Sequence, residues 1–355
     1  MNRRDFLRAA LAAGAGLAVR PTPAAKAAPA EVSASKLPRW RGFNLLSKFM
    51  VWRNEPFVED DFRIMHEWGF DFARLPMDYR CWTDRANPRR LRQDVLAEVD
   101  EAVEYGLEHD VHVCINFHRA PGYTVARPPE EKSVWTDAEA RQLCVLHWGE
   151  FARRHAGVPP ERLSFNLFNE PARIGSRGFS LQRYREVVRM LTDAIREHDP
   201  NRLIICDGYE WGTKPAPTLT DLGVAQSTRA YQPFWLTHYG ASWVGGENWA
   251  EPEWPARGWD IDRLREYWRP WKELADSGVG VHCGEGGAYN AVPHATFLRW
   301  LEDALTVLEQ YGIGWAIWNL RGPFGPLDAG REDVEYDAFD GHELDRDMLR
   351  VLLRH

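Results

Sequence analysis

Short apolar runs of strand length alternate along the chain with longer segments in which apolar residues recur at helical spacing. The run that holds Phe165 and Phe168 is typical of the first kind, since polar residues precede it and Pro171 closes it. The segment from 91 to 109 is typical of the second kind, with an apolar residue at every third or fourth position. The pattern predicts strands at 40–46, 70–75, 111–117, 163–168, 202–206, 227–231, 279–283 and 313–318. It predicts helices at 56–68, 91–109, 137–154, 181–198, 261–276, 295–311 and 345–353.

These elements form strand-then-helix units with short apolar strands, which predicts a parallel sheet buried on both faces. Eight such units favour closure into a single-domain α/β fold, the (β/α)8 TIM barrel, and we assign it to residues 31–355. An open doubly wound sheet is the alternative. It does not explain why the candidate polar residues follow strands and precede helices along the whole chain. The phosphate-binding patterns GxGxxG and GxxxxGK[ST] are also missing from the sequence.

The first 30 residues have the pattern of an export signal. Arg3 and Arg4 belong to a twin-arginine pattern, which is followed by a small and apolar run at 9–19 and by candidate cleavage sites ending at Ala27 and Ala30. The apolar run is about half as long as a membrane-spanning helix, so a membrane anchor is the weaker interpretation. We therefore predict a signal peptide and linker at residues 1–30. The mature protein is expected to be periplasmic or secreted, without a membrane span.

Charge and composition narrow the range of partners. The net charge of −8 and the pI of about 5.9 argue against nucleic acid or an anionic membrane surface. The 17 tryptophans suit the flat apolar faces of sugar rings, although many of them must pack the core. The five cysteines include no CxxC pair, and we expect mostly free, buried thiols. We expect a monomer that binds an oligo- or polysaccharide, with no cofactor and no metal.

Two glutamates lie at the ends of predicted strands. Glu170 follows the fourth strand and precedes Pro171, and Glu285 follows the seventh strand and precedes Gly286. The C-terminal ends of the strands meet on one face of a barrel, so their distance along the chain is no obstacle to contact. Glycoside hydrolysis needs two carboxyl groups, one to protonate the leaving oxygen and one to attack or stabilise the sugar carbon. We predict that Glu170 and Glu285 are this pair; a solvated glutamate at a strand end is the simpler alternative for either one.

Other polar and aromatic residues follow the predicted strands and are candidates for substrate binding. Arg74 is a fixed positive charge that can hold a carboxylate ionised, and Tyr231 can donate a hydrogen bond to the same group. Asn169 can bind the sugar hydroxyl next to the reacting carbon. The remaining candidates at the strand ends are His118, His238 and Trp318.

Simpler explanations exist for several of these residues: a surface charge for Arg74, a packed aromatic ring for Tyr231 and ordinary core for Trp318. Residues 207–211 are expected to shape the cleft. Candidate sugar platforms on the predicted loops are Trp135, Trp235, Trp243 and Trp249.

The strand-end residues together resemble glycoside hydrolase family 5, the cellulase-like retaining glycosidases, over residues 40 to 320. The matching residues are Arg74-Leu75-Pro76, His118, Asn169-Glu170-Pro171, Tyr231, Gly284-Glu285-Gly286 and Trp318. The resemblance implies Glu170 as general acid/base and Glu285 as nucleophile, with the other residues lining the sugar site. One position departs from the family pattern. The family usually has a His two residues before the Tyr of strand six, where this chain has Arg229; either the register differs or His238 takes that place.

The sequence thus predicts an exported retaining glycoside hydrolase that cleaves a β-glucan, as cellulases and endoglucanases do, or a related polysaccharide. A β-mannanase and an exo-acting β-glucosidase are alternatives on the same scaffold. A non-catalytic carbohydrate-binding barrel would keep the tryptophans but would not need both carboxyl groups. The twin-arginine pattern also raises a cofactor enzyme, which no ligand cluster in the sequence supports. The loops at 119–136 and 240–260 are expected to set the sugar, the linkage and the mode of cleavage.

Overall fold

Eight strands pair in sequential order, each parallel to the next, and the eighth pairs with the first in this computed structural model. The structure describes residues 32–84 and 86–355, so the predicted signal peptide lies outside the described residues. The closed sheet confirms the predicted (β/α)8 barrel, including its sixth strand. The strands are β1 (Arg41–Asn44), β2 (Phe72–Asp78), β3 (His112–Arg119), β4 (Leu163–Asn166), β5 (Leu203–Asp207), β6 (Ala225–Ala230), β7 (Val281–Gly286) and β8 (Gly314–Ile317).

Helices pack around this sheet with their apolar faces inward. Several begin at a residue whose side chain accepts a hydrogen bond from the first turn, as Asp137, Ser180 and Asp260 do. Among the described residues, no helix is both long enough and apolar enough to cross a bilayer. The long helices are α1 (Glu59–Glu67), α2 (Gln93–Glu108), α3 (Ala138–Arg154), α4 (Leu181–His198), α5 (Ile261–Asp276), α6 (His294–Gln310) and α7 (Arg346–Arg354). Short helical segments lie at Tyr79–Cys81, Ser176–Gly178, Tyr209–Gly212, Pro217–Leu219, Phe234–Thr237, Ser242–Val244 and Gly246–Asn248.

The interior of the barrel is mostly apolar at the N-terminal end of the strands, apart from His112, Ser164 and His282, and polar towards the C-terminal end. The segment before β1 closes the apolar end, where the backbone N–H of Gly280 donates to the carbonyl of Ala34 at 2.8 Å. The apolar layer contains Val32, Trp40, Phe72, Cys114, Leu203, Ile205, Ala225 and Ala316. The buried polar layer contains Asn44, Arg74, Asn116, Asn166, Asp207 and Arg229. The strands therefore carry charged side chains into the mouth of the barrel.

Several strands near the site end at residues other than those predicted. β3 continues to Arg119 and β7 to Gly286, so His118 and Glu285 lie within their strands rather than after them. β2 continues through Pro76 to Asp78, where the sequence predicted an end at Leu75. Pro76 has no N–H to donate to the neighbouring strand. β1 has already ended at Asn44, which pairs with Arg74, so no hydrogen bond between the two strands is lost. β4 ends at Asn166, before its predicted end at residue 168, and the chain is irregular from there to Glu170.

The C-terminal region contains a hairpin that the sequence did not predict. Strands β9 (Asp337–Phe339) and β10 (His342–Leu344) pair antiparallel across a two-residue turn. The turn residues Asp340 and Gly341 both have positive φ, 47° and 88°, which is the backbone that an Asp-Gly hairpin turn favours. The five cysteines are buried and unpaired.

Candidate active site

Glu285 is buried at the end of β7, 3% exposed, and its described contacts are with hydrogen-bond donors. The guanidinium Nη1 of Arg74 donates to Oε1 at 2.6 Å, and the hydroxyl of Tyr231 donates to Oε2 at 3.2 Å. Nη2 of Arg229 lies 3.4 Å from Oε1. Donors therefore fix the orientation of both oxygens of Glu285, as a positioned nucleophile requires.

Glu170 is held by its backbone as well as by its side chain. Its φ of 51° is left-handed, a costly conformation for a residue with a Cβ, and such positions concentrate at functional sites. Its N–H donates to Oδ2 of Asp207 at 2.8 Å, and its carbonyl accepts from the hydroxyl of Tyr123 at 2.7 Å. Its Oε1 accepts from Nε of Arg229 at 3.0 Å.

The surroundings of Glu170 favour its protonated form. Burial, and then the negative charge of Glu285, raise the pKa of the Glu170 carboxyl, while Arg229 opposes the shift. The side chain is 15% exposed, so the carboxyl keeps access to the mouth of the barrel. A carboxyl that retains its proton near neutral pH can act as a general acid.

Asn169 links both arginines to His118. Its Oδ1 accepts from Nη2 of Arg74 and from Nη2 of Arg229, each at 2.9 Å, which fixes the orientation of the amide. Its Nδ2 therefore faces Nε2 of His118, at 3.3 Å, and must be the donor. The imidazole hydrogen then lies on Nδ1, which is buried without a hydrogen-bond partner in the described part of the chain and is 4.0 Å from Oε1 of Glu285. Burial, and then the charges of Arg74 and Arg229, lower the pKa of His118 well below its ordinary value, so a neutral ring offers one unused N–H at the site.

Two aromatic side chains, those of Trp318 and Phe49, lie beside His118. The ring of Trp318 is 5.4 Å from that of His118 and 5.2 Å from that of Phe49, measured between centroids. Trp318 is only partly buried, which excludes the ordinary core position as its explanation. The burial of Arg74 likewise excludes a surface charge.

His238 does not occupy the place of the histidine that the family pattern would put on strand six. Its ring stacks on Phe234 at 3.9 Å and lies 5.1 Å from the ring of Tyr231. Its Nδ1 is 2.9 Å from the hydroxyl of Thr237, and in the described residues it has no hydrogen bond to Glu170 or Glu285. Arg229 lies on β6 two residues before Tyr231 and contacts both glutamates, so the strand-six position beside them holds Arg229 and not His238. Whether His238 contacts substrate stays a prediction.

Of the residues beneath the two glutamates, the sequence analysis named Asp207 only as part of a segment expected to shape the cleft and did not name Asn166. Asp207 is fully buried: Oδ2 accepts from the N–H of Glu170 and makes a short contact with Arg229, and Oδ1 accepts from Nδ2 of Asn166 at 3.0 Å. Asn166 in turn accepts from Nε of Arg74 at 3.1 Å. The signal that could have found them is a polar residue inside or at the end of an otherwise apolar strand.

The four tryptophans that were predicted to be sugar platforms differ in their exposure. Trp135 is wrong as a sugar platform, because it is 1% exposed and packs against Tyr123, Phe168 and Tyr184. Trp243 is 59% exposed and remains a candidate. Trp235 and Trp249 are partly buried.

Trp52 and Phe234 are exposed aromatic residues that the prediction did not name, and Trp211, in the segment expected to shape the cleft, is exposed as well. On the outer helices, Glu59, Glu108 and His109 place one ligand atom each within 4.8 Å of the others, a grouping that their sequence spacing did not indicate. It takes no part in the site at the barrel mouth.

Comparisons with known proteins identify the family of this chain. A model of the cellulase family, glycosyl hydrolase family 5, matches residues 27–322. Endoglucanase C of Acetivibrio thermocellus is 24% identical over 351 residues, which cover 88% of this chain and 97% of the relative. Cellodextrinase A of Ruminococcus flavefaciens is 24% identical over 270 residues, covering 72% and 76%. A crystal structure of a glycoside hydrolase superposes with a TM-score of 0.85 at 36% identity, covering 89% of this chain and 99% of that one. Because the family model matches more than half of the chain, this protein belongs to glycosyl hydrolase family 5 and is a glycoside hydrolase.

Proposed function

We propose that this enzyme cleaves β-glycosidic bonds of a β-glucan with retention of configuration, with Glu285 as nucleophile and Glu170 as general acid/base. The observation that carries the proposal is that one guanidinium, that of Arg229, contacts both carboxyl groups, at 3.0 Å from Glu170 and 3.4 Å from Glu285. The two groups nevertheless have different surroundings, since donors surround Glu285 while burial favours the proton on Glu170. This is the pairing of acid and nucleophile that double displacement needs.

The reaction would proceed in two steps. Glu170 protonates the leaving oxygen while Glu285 attacks the anomeric carbon, which gives a glycosyl-enzyme. Glu170 then removes a proton from water, which displaces Glu285 and releases the sugar in its original configuration. The unused Nδ1–H of His118 is placed to bind a sugar hydroxyl near the reacting carbon, and Trp318 to pack against the ring face.

The names of the relatives favour β-1,4-glucan as the substrate, since the curated relatives include endoglucanases and a cellodextrinase, and a structural neighbour is an endo-β-1,4-glucanase. β-Mannan is the second candidate. Thermotoga maritima Cel5A, a structural neighbour with a TM-score of 0.72 at 22% identity, has been solved with mannotriose as well as with cellobiose. An exo-acting β-glucosidase would release single glucose units only.

A substrate panel tests the proposal. The purified enzyme is incubated with soluble β-glucan, mannan and xylan, the products are separated by size, and the first-formed anomer is followed by proton NMR. We expect oligosaccharides from β-glucan, with the β-anomer appearing before mutarotation. Early formation of the α-anomer would contradict retention, and release from mannan alone would reassign the substrate.

Export is a separate part of the proposal. It is supported by the twin-arginine pattern in residues 1–30. In an expressing bacterium, the full chain should appear outside the cytoplasm, shortened near residue 30. Replacement of Arg3 and Arg4 by Lys should retain it in the cytoplasm, and unchanged export of that variant would contradict the proposed route.

A further inference from the structure

Five charged side chains meet beneath the mouth of the barrel. The guanidinium groups of Arg74 and Arg229 face the carboxyl groups of Glu170, Asp207 and Glu285. All of them except Glu170 are almost completely buried. Two cations cannot balance three carboxylates, so one carboxyl must carry a proton for the cluster to be neutral. In a site of low dielectric constant, an uncompensated charge is costly.

Asp207 determines which carboxyl carries that proton. Both of its oxygens accept hydrogen bonds, from the Glu170 backbone, Arg229 and Asn166, and all three partners are donors, so none of them could accept a proton carried by Asp207. As a carboxylate it neutralises Arg229, and Arg74 is neutralised by Glu285 at 2.6 Å. Glu170 is then the group that can be neutral.

We propose that Asp207 and Arg229 form a positioning pair that keeps this cluster neutral in both halves of the reaction, by allowing the negative charge to move from Glu285 to Glu170. The inference rests on the double displacement proposed above. Neither residue of the pair reacts; each acts through the two glutamates.

The charges balance at every stage. In the first step, Glu285 forms a bond to the anomeric carbon, and the electron pair of the broken glycosidic bond goes to the leaving oxygen, which takes the proton of Glu170. Glu285 is now a neutral ester and Glu170 is a carboxylate, so the total charge of the cluster is unchanged. In the second step, water gives its hydroxyl group to the anomeric carbon and one proton to Glu170, and the electron pair of the broken ester bond restores the charge of Glu285. Arg229 contacts both glutamates already, through Nε and Nη2, and does not need to move.

The structure holds Arg229 rigidly in this bridging place. Its Nη1 donates to the hydroxyl of Ser227 at 3.0 Å and to the carbonyl of Thr228 at 2.9 Å. A Cβ added at Gly212, where φ is 71°, would lie 2.8 Å from Cγ of Arg229, so the chain packs directly against the arginine stem. Preorganised charges of this kind stabilise developing charge without rearrangement.

Replacement of Asp207 and replacement of Arg229 should shift the pKa of Glu170 in opposite directions. The negative charge of Asp207 raises the pKa of Glu170 and the positive charge of Arg229 lowers it, although burial remains the largest cause of the shift. When Asp207 is replaced, Glu170 becomes the counter-ion of Arg229 and loses its proton at a lower pH than in the wild type. When Arg229 is replaced, Glu170 keeps its proton to a higher pH than in the wild type. The titratable and charged groups around Glu170 are Arg74, His118, Tyr123, Asp207, Arg229, Tyr231, Tyr267 and Glu285.

The test is the pH dependence of kcat/KM on the soluble polysaccharide that the wild-type enzyme cleaves fastest. The alkaline limb reports the loss of the proton from the acid. We expect Asp207→Asn to move this limb to lower pH and Arg229→Gln to move it to higher pH, each by about one pH unit. Asp207→Glu should restore the limb towards its wild-type position. Asp78→Asn is the matched control, because Asp78 is a buried aspartate at the end of β2 that pairs with Arg80 and Arg119; it should leave the limb in place.

The outcomes separate this inference from the proposed function. A wild-type enzyme that inverts configuration contradicts the double displacement itself. Retention with limbs that stay in place, or that move in the same direction in both variants, overturns the role of the pair alone. If Asp207→Asn does not fold, as judged by its thermal unfolding, the shift in Arg229→Gln decides.

Discussion

Two arginines are buried at opposite ends of the same barrel, and they differ in the groups that they contact. Arg202, at the N-terminal end, donates to the carbonyls of Leu163, His155 and Val158 at 2.8 to 3.0 Å, and to the carboxylate of Asp199. None of these partners changes charge during a reaction at the other end of the strands.

Arg229, at the C-terminal end, is buried to a similar degree but touches three carboxyl groups, those of Glu170, Asp207 and Glu285. Burial alone therefore does not distinguish a functional charge from a structural one. The distinction is whether the charge is shared among groups that can exchange a proton or a bond.

The largest expected effect is that of removing the charge of Glu285. Glu285→Gln keeps the shape of the side chain but cannot form the glycosyl-enzyme, so kcat should fall on the order of 10⁴-fold or more, as for other nucleophiles. Initial rates on polysaccharide would measure the loss, with circular dichroism to verify folding. A folded variant with more than about a tenth of the wild-type rate would remove Glu285 from the nucleophile role.

Removing the acid should have a smaller effect that depends on the leaving group. Glu170→Ala should lose about 10²- to 10⁴-fold on polysaccharide, because the leaving oxygen needs a proton. The first step on a dinitrophenyl glycoside should be nearly unaffected, since that group leaves as an anion. Pre-steady-state release of dinitrophenol measures this step, and an equal loss on both substrates would contradict the assignment.

The same variant tests the pH dependence of the acid. Burial raises the pKa of Glu170, so the wild-type acid remains protonated above the usual carboxyl range and activity is lost as the pH rises through that pKa. The alkaline limb of the kcat/KM profile on polysaccharide should therefore disappear from the residual activity of Glu170→Ala. Persistence of an unchanged limb would assign it to another group.

The smallest expected effect on catalysis is that of replacing Arg202. Arg202→Leu leaves the buried Asp199 without its cation and should lower the free energy of unfolding by about 3–5 kcal/mol. Urea unfolding measures that loss. The kcat of the folded fraction and its pH profile should match wild type, in contrast to Arg229→Gln. A shift of the pH profile in Arg202→Leu would break the comparison between the two ends.

The sequence was sufficient for what depends on local pattern. Apolar runs followed by polar residues located the strands other than β6, whose sequence has no such run, and placed Glu170 and Glu285 near strand ends. The bridging place of Arg229 was not predictable, because it depends on a register shift between Thr228 and Arg229 that sets Arg229 opposite Glu285. The role of Asp207 likewise depends on which strands are neighbours in the closed sheet.

The loop that carries Trp135 is a second case in which local sequence did not predict the role of a residue. A tryptophan on a predicted loop looks available for a sugar. In the structure, Arg119 pairs with Glu130 at 2.6 Å within this loop, and Trp135 packs on Phe168 next to the chain that leads to Glu170. Its burial is a property of the tertiary fold that the local sequence does not encode.

Trapping the covalent intermediate tests the central claim most directly. A dinitrophenyl 2-deoxy-2-fluoro-β-cellobioside, or the mannobioside if mannan is the substrate, supports the first step but slows the second, because fluorine destabilises the oxocarbenium-like transition state. Mass spectrometry of the inactivated enzyme should show one added fluoroglycosyl group, and peptide mapping should place it on Glu285. A label on another residue, or turnover with inversion and no adduct, would contradict the account.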